Sequence, residues 1–150
     1  MSDARVHLER LLHQDIPLTR AMGLGVLGWR DGELRLSLPL AANYNHKSSM
    51  FGGSLYCAAV LAGWGWLHLS LREVGIVGGH IVIQQGQIDY AEPVLGDAVA
   101  LCAAPAEREW ERFLALYRRR GLARIELHSH ILAGGGGEAV RFSGQYVLQR

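Results

Sequence analysis

The spacing of apolar residues along the first forty positions predicts a helix followed by a β-hairpin. Residues 4–15 repeat apolar side chains at helical intervals, and Pro17 is expected to end that helix. Apolar and polar residues then alternate on both sides of Asp31-Gly32, a dipeptide typical of a two-residue hairpin turn. We therefore predict two antiparallel strands, over residues 23–30 and 33–38.

The longest stretch without a charged residue covers residues 48–71, and it predicts a long helix over residues 51–73. A helix of this length could cross roughly 30 Å of hydrocarbon. Its glycines, its serines and His68, together with the amphipathic strands around it, favour instead the buried central helix of a globular fold. We therefore expect no membrane association.

The second half of the chain predicts one more helix and four more strands. The helix begins after Pro105 and ends at Gly121, with glutamates in its first turn and arginines in its last, as the helix dipole favours. A glycine run over residues 134–137 is expected to form a flexible hairpin. The predicted strands cover residues 80–90, 98–104, 122–132 and 138–148.

This order of elements predicts an α+β fold. Consecutive strands joined by hairpins, with one apolar helix between them, indicate an antiparallel β-sheet wrapped around a long central helix. We expect a single domain over residues 1–150, a size at which one hydrophobic core is usual. One sheet covering one helix leaves apolar surface uncovered, so we also expect a homodimer or a dimer of dimers.

Composition narrows the functional class. With 15 Lys and Arg against 14 Asp and Glu, the formal net charge is +1, which argues against a nucleic-acid partner. The two cysteines, Cys57 and Cys102, lie in apolar stretches and are too few for a disulfide scaffold, so a cytoplasmic location is expected. Charged residues near the N-terminus interrupt the apolar run that an export signal needs.

A polar loop precedes the central helix, and its sequence resembles that of hotdog-fold thioesterases. Asn45 lies six residues before Phe51-Gly52-Gly53, where members of that superfamily carry a loop Asn and open the helix with His-Gly-Gly. A second match is the stretch Asp89-Tyr-Ala-Glu-Pro-Val94, which Gly96-Asp97 follows.

The likeness is greatest to one subfamily, which occurs alone or fused behind a GNAT-like acetyltransferase domain. That subfamily includes malonyl-acyl-carrier-protein (malonyl-ACP) decarboxylases. The residues that carry the likeness are Asn43-Tyr-Asn45, Phe51-Gly-Gly-Ser54, Leu61-Ala-Gly-Trp64 and Gly144-Gln-Tyr146.

Two departures from the superfamily pattern bear on the reaction. Hydrolytic relatives place a carboxylate on the central helix about nine residues beyond the histidine, where it attacks the thioester or activates water. Here that position is Val60, and Phe51 replaces the histidine itself. No Asp or Glu occurs between Asn45 and Arg72. The resemblance therefore implies an enzyme of acyl thioesters that lacks the usual base for hydrolysis.

Decarboxylation of a malonyl thioester needs no such base. Loss of carbon dioxide leaves an enolate, so the site must donate hydrogen bonds to the thioester oxygen. We predict as catalytic donors the backbone N–H groups of Gly52 and Gly53 and the side-chain amide of Asn45. The residues predicted to bind the substrate are Asn43, His46, Ser48, Ser49, Phe51, Tyr56, Arg118, Arg119 and Arg120.

Several of these residues have a simpler interpretation. Asn45 could bond its own turn, His46 could be a solvated loop residue, and the two serines could cap the helix. The three arginines could only terminate their helix, or they could dock an acidic carrier protein or the phosphates of coenzyme A. His128 and His130 share a strand face, for which a solvated polar face is favoured over a metal site. We expect neither a metal nor a cofactor.

Three functions are compatible with these residues. The leading one is decarboxylation of malonyl-ACP to acetyl-ACP at the start of fatty acid synthesis, with acyl carrier protein as the partner. The second is hydrolysis of acyl-CoA or acyl-ACP. The third is a non-catalytic module that binds acyl thioesters, which the missing carboxylate would favour.

Overall fold

A computed structural model of the chain describes residues 2–134 and 136–150, and it contains each predicted helix and strand with ends shifted by a few residues. Gly135, inside the predicted glycine hairpin, lies outside the described residues. The elements are α1 (Ser2–Asp15), α2 (Pro17–Ala21), β1 (Gly25–Arg30), β2 (Glu33–Leu38), a 3-10 turn (Leu40–Ala42), α3 (Gly52–Glu73), β3 (His80–Tyr90), β4 (Ala98–Ala103), α4 (Glu107–Arg120), β5 (Leu122–Leu132) and β6 (Glu138–Gln149).

The strands form one antiparallel sheet in the order β1-β2-β4-β5-β6-β3. β3 is an edge strand, and it pairs along its whole length with β6, from His80 opposite Gln149 to Tyr90 opposite Val140. The last residue of β3 therefore lies at the end of the sheet where α3 begins. This placement brings a residue of β3 to the loop that precedes the central helix.

Helix α3 packs across the sheet and supplies much of the core. Two of its glycines allow the close approach, because a Cβ at Gly63 would overlap the hydroxyl of Tyr146, and one at Gly65 would lie 2.7 Å from the Cδ2 atom of Leu34. Among the described residues, one helix, α3, is long enough and apolar enough to cross a membrane. Of its most apolar 18-residue stretch, 67% is buried. Burial on this scale is the ordinary state of a core helix.

The predicted hairpin at Asp31-Gly32 is confirmed, whereas the expected effect of Pro17 is only partly right. Asp31 and Gly32 adopt φ values of 52° and 71°, the left-handed pair that a tight two-residue hairpin requires, and β1 and β2 pair on either side of them. Pro17 does not simply end the first helix, because it begins α2 at once. Proline favours the first position of a helix, since its missing N–H is unused there.

Candidate functional site

The loop that leads into α3 is closed on itself by backbone hydrogen bonds. The N–H of Asn45 donates to the carbonyl of Ser49 (2.8 Å), and the N–H of Ser48 donates back to the carbonyl of Asn45 (3.0 Å). Ser48 adopts a left-handed φ of 61°, which lets the chain reverse direction within these few residues. The loop is therefore a compact turn whose shape its own backbone fixes.

The side chain of Asn45 contributes to this turn with one end of its amide. Its Oδ1 accepts hydrogen bonds from the N–H of Lys47 (2.9 Å), the N–H of Ser49 (3.2 Å) and the hydroxyl of Ser49 (3.2 Å). With Oδ1 held in this way, the group that remains for a ligand is the Nδ2 donor. The turn-forming role and the donor role of Asn45 are thus compatible, because they use opposite ends of the same amide.

Asn43 holds the loop against the body of the protein. Its side chain is 4% exposed, and Nδ2 donates to the carbonyls of Met22 and Pro39, each at 2.8 Å. The backbone carbonyl of Asn43 in turn accepts the N–H of Phe51 at 2.7 Å. Both amide hydrogens of Asn43 are therefore occupied by backbone carbonyls, and its predicted binding role stays a prediction.

Helix α3 begins without a side-chain cap. Phe51 is the N-cap residue, and its carbonyl accepts the N–H groups of Ser54 (3.0 Å) and Leu55 (3.1 Å). The N–H groups of Gly52 and Gly53 precede the first bonded turn of the helix and point out of its end, where the helix dipole favours negative charge. Ser48 and Ser49 do not cap the helix, because they lie in the preceding turn.

Two aromatic side chains flank the pair of glycines. The Phe51 ring packs on Gly53 so closely that a Cβ there would lie 2.5 Å from Cε2 of the ring. From the end of β3, the hydroxyl of Tyr90 donates to the carbonyl of Gly52 (2.9 Å), and its ring would lie 3.5 Å from a Cβ on Gly52. The two rings are about half exposed, at 55% for Phe51 and 48% for Tyr90. They leave an open, partly apolar approach to the helix end.

Burial, with a smaller contribution from Tyr56, raises the pKa of Tyr90, so its phenol is protonated and can donate at neutral pH. Sequence reasoning missed this residue, although a signal was present: Tyr90 ends a strand three residues before Pro93. Tyr56 lies one turn along α3 from Gly52, half-buried, with its ring packed edge-on against Phe142 at 5.3 Å between centroids. Its hydroxyl lies against Gly86 of β3, and its predicted binding role stays a prediction.

The position at which hydrolytic relatives carry a carboxylate is occupied here by an apolar residue. Val60 is partly buried in the core, and its carbonyl accepts the hydroxyl of Tyr146 at 2.7 Å. The carboxylate of Asp97 accepts the N–H of Leu40 at 2.9 Å. Asp89 pairs with Arg141 at 3.4 Å. None of these groups supplies a base on α3.

The remaining predicted residues do not all come together. His46 is exposed on the loop, six residues before Gly52 in the chain. The arginines of the last turn of α4, Arg118, Arg119 and Arg120, lie where β5 and β3 begin, whereas the glycines lie near the end of β3. With 11 residues and a rise of about 3.3 Å per residue, β3 spans roughly 30 Å. Within one protomer these arginines are therefore remote from the loop, and their binding role stays a prediction.

The two histidines of β5 have partners on the sheet surface. His128 lies 2.9 Å from the hydroxyl of Ser143 through Nδ1 and 3.2 Å from Glu126 through Nε2, and His130 lies 2.9 Å from Glu138. These contacts follow the alternating polar face that the sequence predicted.

A separate polar cluster lies at the other end of α3, where α1 crosses it. Nε2 of His7 and Nε2 of His68 are 3.0 Å apart, and the ring of His68 is stacked on Trp64 with 5.4 Å between centroids. Burial, followed by the charges of His7 and Arg72, lowers the pKa of His68 to about 4. Burial also lowers the pKa of His7. Both rings are therefore neutral at pH 7.

Comparison with known proteins places the chain among hotdog-fold thioesterases. A family model described as "Putative thioesterase (yiiD_Cterm)" matches residues 5–150. A solved protein of unknown function from Chlorobaculum tepidum is 34% identical, with a TM-score of 0.91 over 97% of this chain and 94% of that one. A structure described as "the putative thioesterase from Shewanella oneidensis" is 29% identical, with a TM-score of 0.90 over 100% of both chains.

A more distant structure agrees in fold alone. The PaaI protein from the phenylacetic acid degradation operon of E. coli is 14% identical, with a TM-score of 0.69 over 97% of this chain and 93% of that one. The likeness therefore extends over essentially the whole chain. It confirms the antiparallel sheet around a central helix that the order of elements predicted, and the hotdog fold that the resemblance implied.

Proposed function

The chain belongs to the YiiD_C thioesterase family of hotdog-fold proteins, and on that premise we propose that it decarboxylates a malonyl thioester to the acetyl thioester. The observation that carries the proposal is the composition of the site. Two glycine N–H groups at the start of α3 and the Nδ2 group of Asn45 supply hydrogen-bond donors, while the position of the expected carboxylate is Val60. Donors without a base suit an enolate and not the activation of water.

The reaction balances without any added nucleophile. The bond between the α-carbon and the carboxylate of the malonyl group breaks, its electron pair forms the enolate, and carbon dioxide leaves. A proton from water then adds to the α-carbon and gives the acetyl thioester, while the carbon–sulfur bond stays intact. Negative charge develops on the thioester oxygen during the first step, so donors aimed at that oxygen bind the transition state more tightly than the substrate.

The arrangement around the glycines is suited to stabilising negative charge on the thioester oxygen. Gly52 and Gly53 present N–H groups without side chains in front of them, at a helix end whose dipole favours negative charge. The ring of Phe51 beside them replaces water around the departing carboxylate. A carboxylate at position 60 would repel the anionic substrate and its transition state, so its absence is consistent with the same chemistry.

We further propose that the working form is a homodimer that takes its substrate from acyl carrier protein. The supporting observation is the edge strand β3, whose exposed side chains include Val82 (54%) and Ile83 (37%). An edge strand with apolar side chains is a surface that proteins usually cover. The arginines at the end of α4 offer a positive surface for an acidic carrier protein.

Hydrolysis is the competing function, because the family is described as thioesterases. The deciding experiment incubates the protein with malonyl-ACP, and separately with malonyl-CoA, and follows carbon dioxide, acetyl thioester and free thiol together. We expect carbon dioxide and acetyl thioester in equal amounts and no thiol. Stoichiometric release of thiol would establish a thioesterase, and no turnover of malonyl or simple acyl thioesters would establish a binding module.

Two substitutions at one position test the role of the donor. Asn45→Ala removes both ends of the amide. Asn45→Asp keeps an oxygen acceptor for the N–H groups of Lys47 and Ser49, and so keeps the turn, but it removes the Nδ2 donor. We expect both variants to lose about 100-fold or more in kcat, as when one oxyanion donor is removed. Gln14→Ala, which removes an exposed amide of α1, is the matched control. Normal turnover by Asn45→Asp would exclude Nδ2 from the chemistry.

A further inference from the structure

We propose that Tyr90 is a positioning residue, whose hydroxyl fixes and polarises the peptide group that carries the N–H of Gly53. The inference rests on the proposed function, because that N–H is one of the donors to the developing enolate. Nothing in the sequence pattern assigned a role to this hydroxyl. Its role follows from the position of Tyr90 at the end of β3, next to Gly52.

The link between Tyr90 and the donor is a single peptide plane. The hydroxyl of Tyr90 donates to the carbonyl oxygen of Gly52 at 2.9 Å. That carbonyl and the N–H of Gly53 belong to the same planar amide and point in opposite directions. Holding the oxygen therefore sets the direction in which the N–H points, without any contact between Tyr90 and the substrate.

A pair of glycines at a helix start needs such a restraint. Glycine has the largest backbone freedom of any residue, and α3 has no side-chain cap to order its first turn. On one side, the Phe51 ring packs on Gly53, and on the other, the Tyr90 ring lies against Gly52. Tyr90 is the residue that adds a directional bond, and it is anchored by the pairing of its own strand with Val140 of β6.

The same bond makes the N–H a better donor. A hydrogen bond to a carbonyl draws electron density from the amide nitrogen, and chains of such bonds strengthen one another by about 10–30% per bond. The carbonyl of Gly52 also faces the N–H of Tyr56 in the next turn, as in any α-helix. Tyr90 therefore adds a second bond to an acceptor already in the helical ladder, and this polarises the peptide toward the site.

The test compares Tyr90→Phe, which removes only the hydroxyl, with Tyr44→Phe, which removes a hydroxyl from a 62% exposed ring on the loop. Two quantities are measured on the full chain: the kinetics of malonyl-ACP decarboxylation, and the 15N chemical shift of the Gly53 amide. For Tyr90→Phe we expect kcat to fall about tenfold, less than the loss when a donor itself is removed, with KM nearly unchanged. The Gly53 resonance should move, because its peptide loses a bond. Tyr44→Phe should change neither quantity.

Each other outcome has a definite meaning. A wild-type rate retained by Tyr90→Phe, with the Gly53 resonance in place, overturns the inference and leaves the proposed function standing. A rise in KM with kcat unchanged indicates a substrate contact, which also overturns it. A changed pH profile of kcat would show that Tyr90 donates a proton directly and does not act by positioning. If the wild-type protein decarboxylates nothing, the proposed function fails first, and the role of Tyr90 fails with it.

Discussion

The pair of histidines between α1 and α3 predicts that the protein loses stability in mildly acidic solution. His68 is half-buried, with its Nε2 atom 3.0 Å from that of His7 and its ring stacked on Trp64. The groups that act on its charge are His7 and Arg72, which disfavour the proton, and Asp15, which favours it. Together with burial, these groups lower the pKa of His68 to about 4.

The sign and size of the effect follow from proton linkage. An unfolded chain binds a proton to this ring as the pH falls through about 6.5, whereas the folded protein does so only near the lowered value. The free energy of unfolding should therefore be unaffected above about pH 6.5, fall between there and about pH 4, and level off below. Full linkage gives about 2 kcal/mol at about pH 5. Because the ring is half-buried, solvent screening reduces our expectation to about 1 kcal/mol.

The assay is urea unfolding of wild-type and His68→Gln proteins at about pH 7.5 and about pH 5, at one protein concentration. Glutamine keeps a polar group beside His7 but does not titrate, so the carboxylates that titrate over the same range cancel in the comparison. We expect the wild-type protein to lose about 1 kcal/mol more than the variant, a shift of about 0.5 M in the urea midpoint.

A control variant and a direct titration of His68 test whether this histidine causes the loss of stability. His46→Gln, on the exposed loop, should show the same pH dependence as the wild-type protein. The ring proton resonances of His68 report its titration directly. An equal loss in His68→Gln, or a midpoint for His68 near the ordinary value of about 6.5, would refute the claim that the folded protein lowers the pKa of His68.

Three further predictions concern packing, the loop and the carrier surface. Gly63→Ala should lower the free energy of unfolding by about 1–3 kcal/mol, because its Cβ overlaps the hydroxyl of Tyr146; urea unfolding checks this, and adding Tyr146→Phe should recover part of the loss. Asn43→Ala should cost about 2–3 kcal/mol in the same measurement, since one buried and one partly buried carbonyl lose their donor. Replacing Arg118, Arg119 and Arg120 by Glu should slow steady-state turnover of malonyl-ACP far more than that of malonyl-CoA, and the difference should shrink with added salt; equal losses would indicate a structural role.

Local signals in the sequence predicted most of the fold, whereas contacts between distant elements required the structure. The hairpin at Asp31-Gly32 was predictable because left-handed φ values select those residue types. The start of α2 was not, because Pro17 is equally suited to follow one helix and to begin another. Boundaries therefore failed where one residue type fits two local structures.

In the candidate site, too, local sequence signals identified some residues and only the structure identified others. Gly52, Gly53 and Asn45 were found because the loop and the helix start are adjacent in sequence. Tyr90 reaches Gly52 across 38 residues, and only the sheet order, with β3 beside β6, brings the two together. The role of Asn43 depended on burial, which no spacing reveals. Alternation and turn chemistry report on neighbours in the chain, and they carry no information about which strand lies at an edge.

The position of α3 within the chain has a consequence for biosynthesis. The helix is complete once residue 73 has been made, but four strands that contact it, β3, β4, β5 and β6, are translated later. β3 has no neighbour in the sheet until β6 is made, because its partners lie 50 residues after Tyr90 and 69 residues after His80. Pairings this distant form slowly, and apolar surface exposed meanwhile invites aggregation. On the ribosome, the nascent chain therefore presents a 22-residue helix with the hydropathy of a membrane span. Any truncation before β6 leaves that helix for chaperones or proteases to recognise.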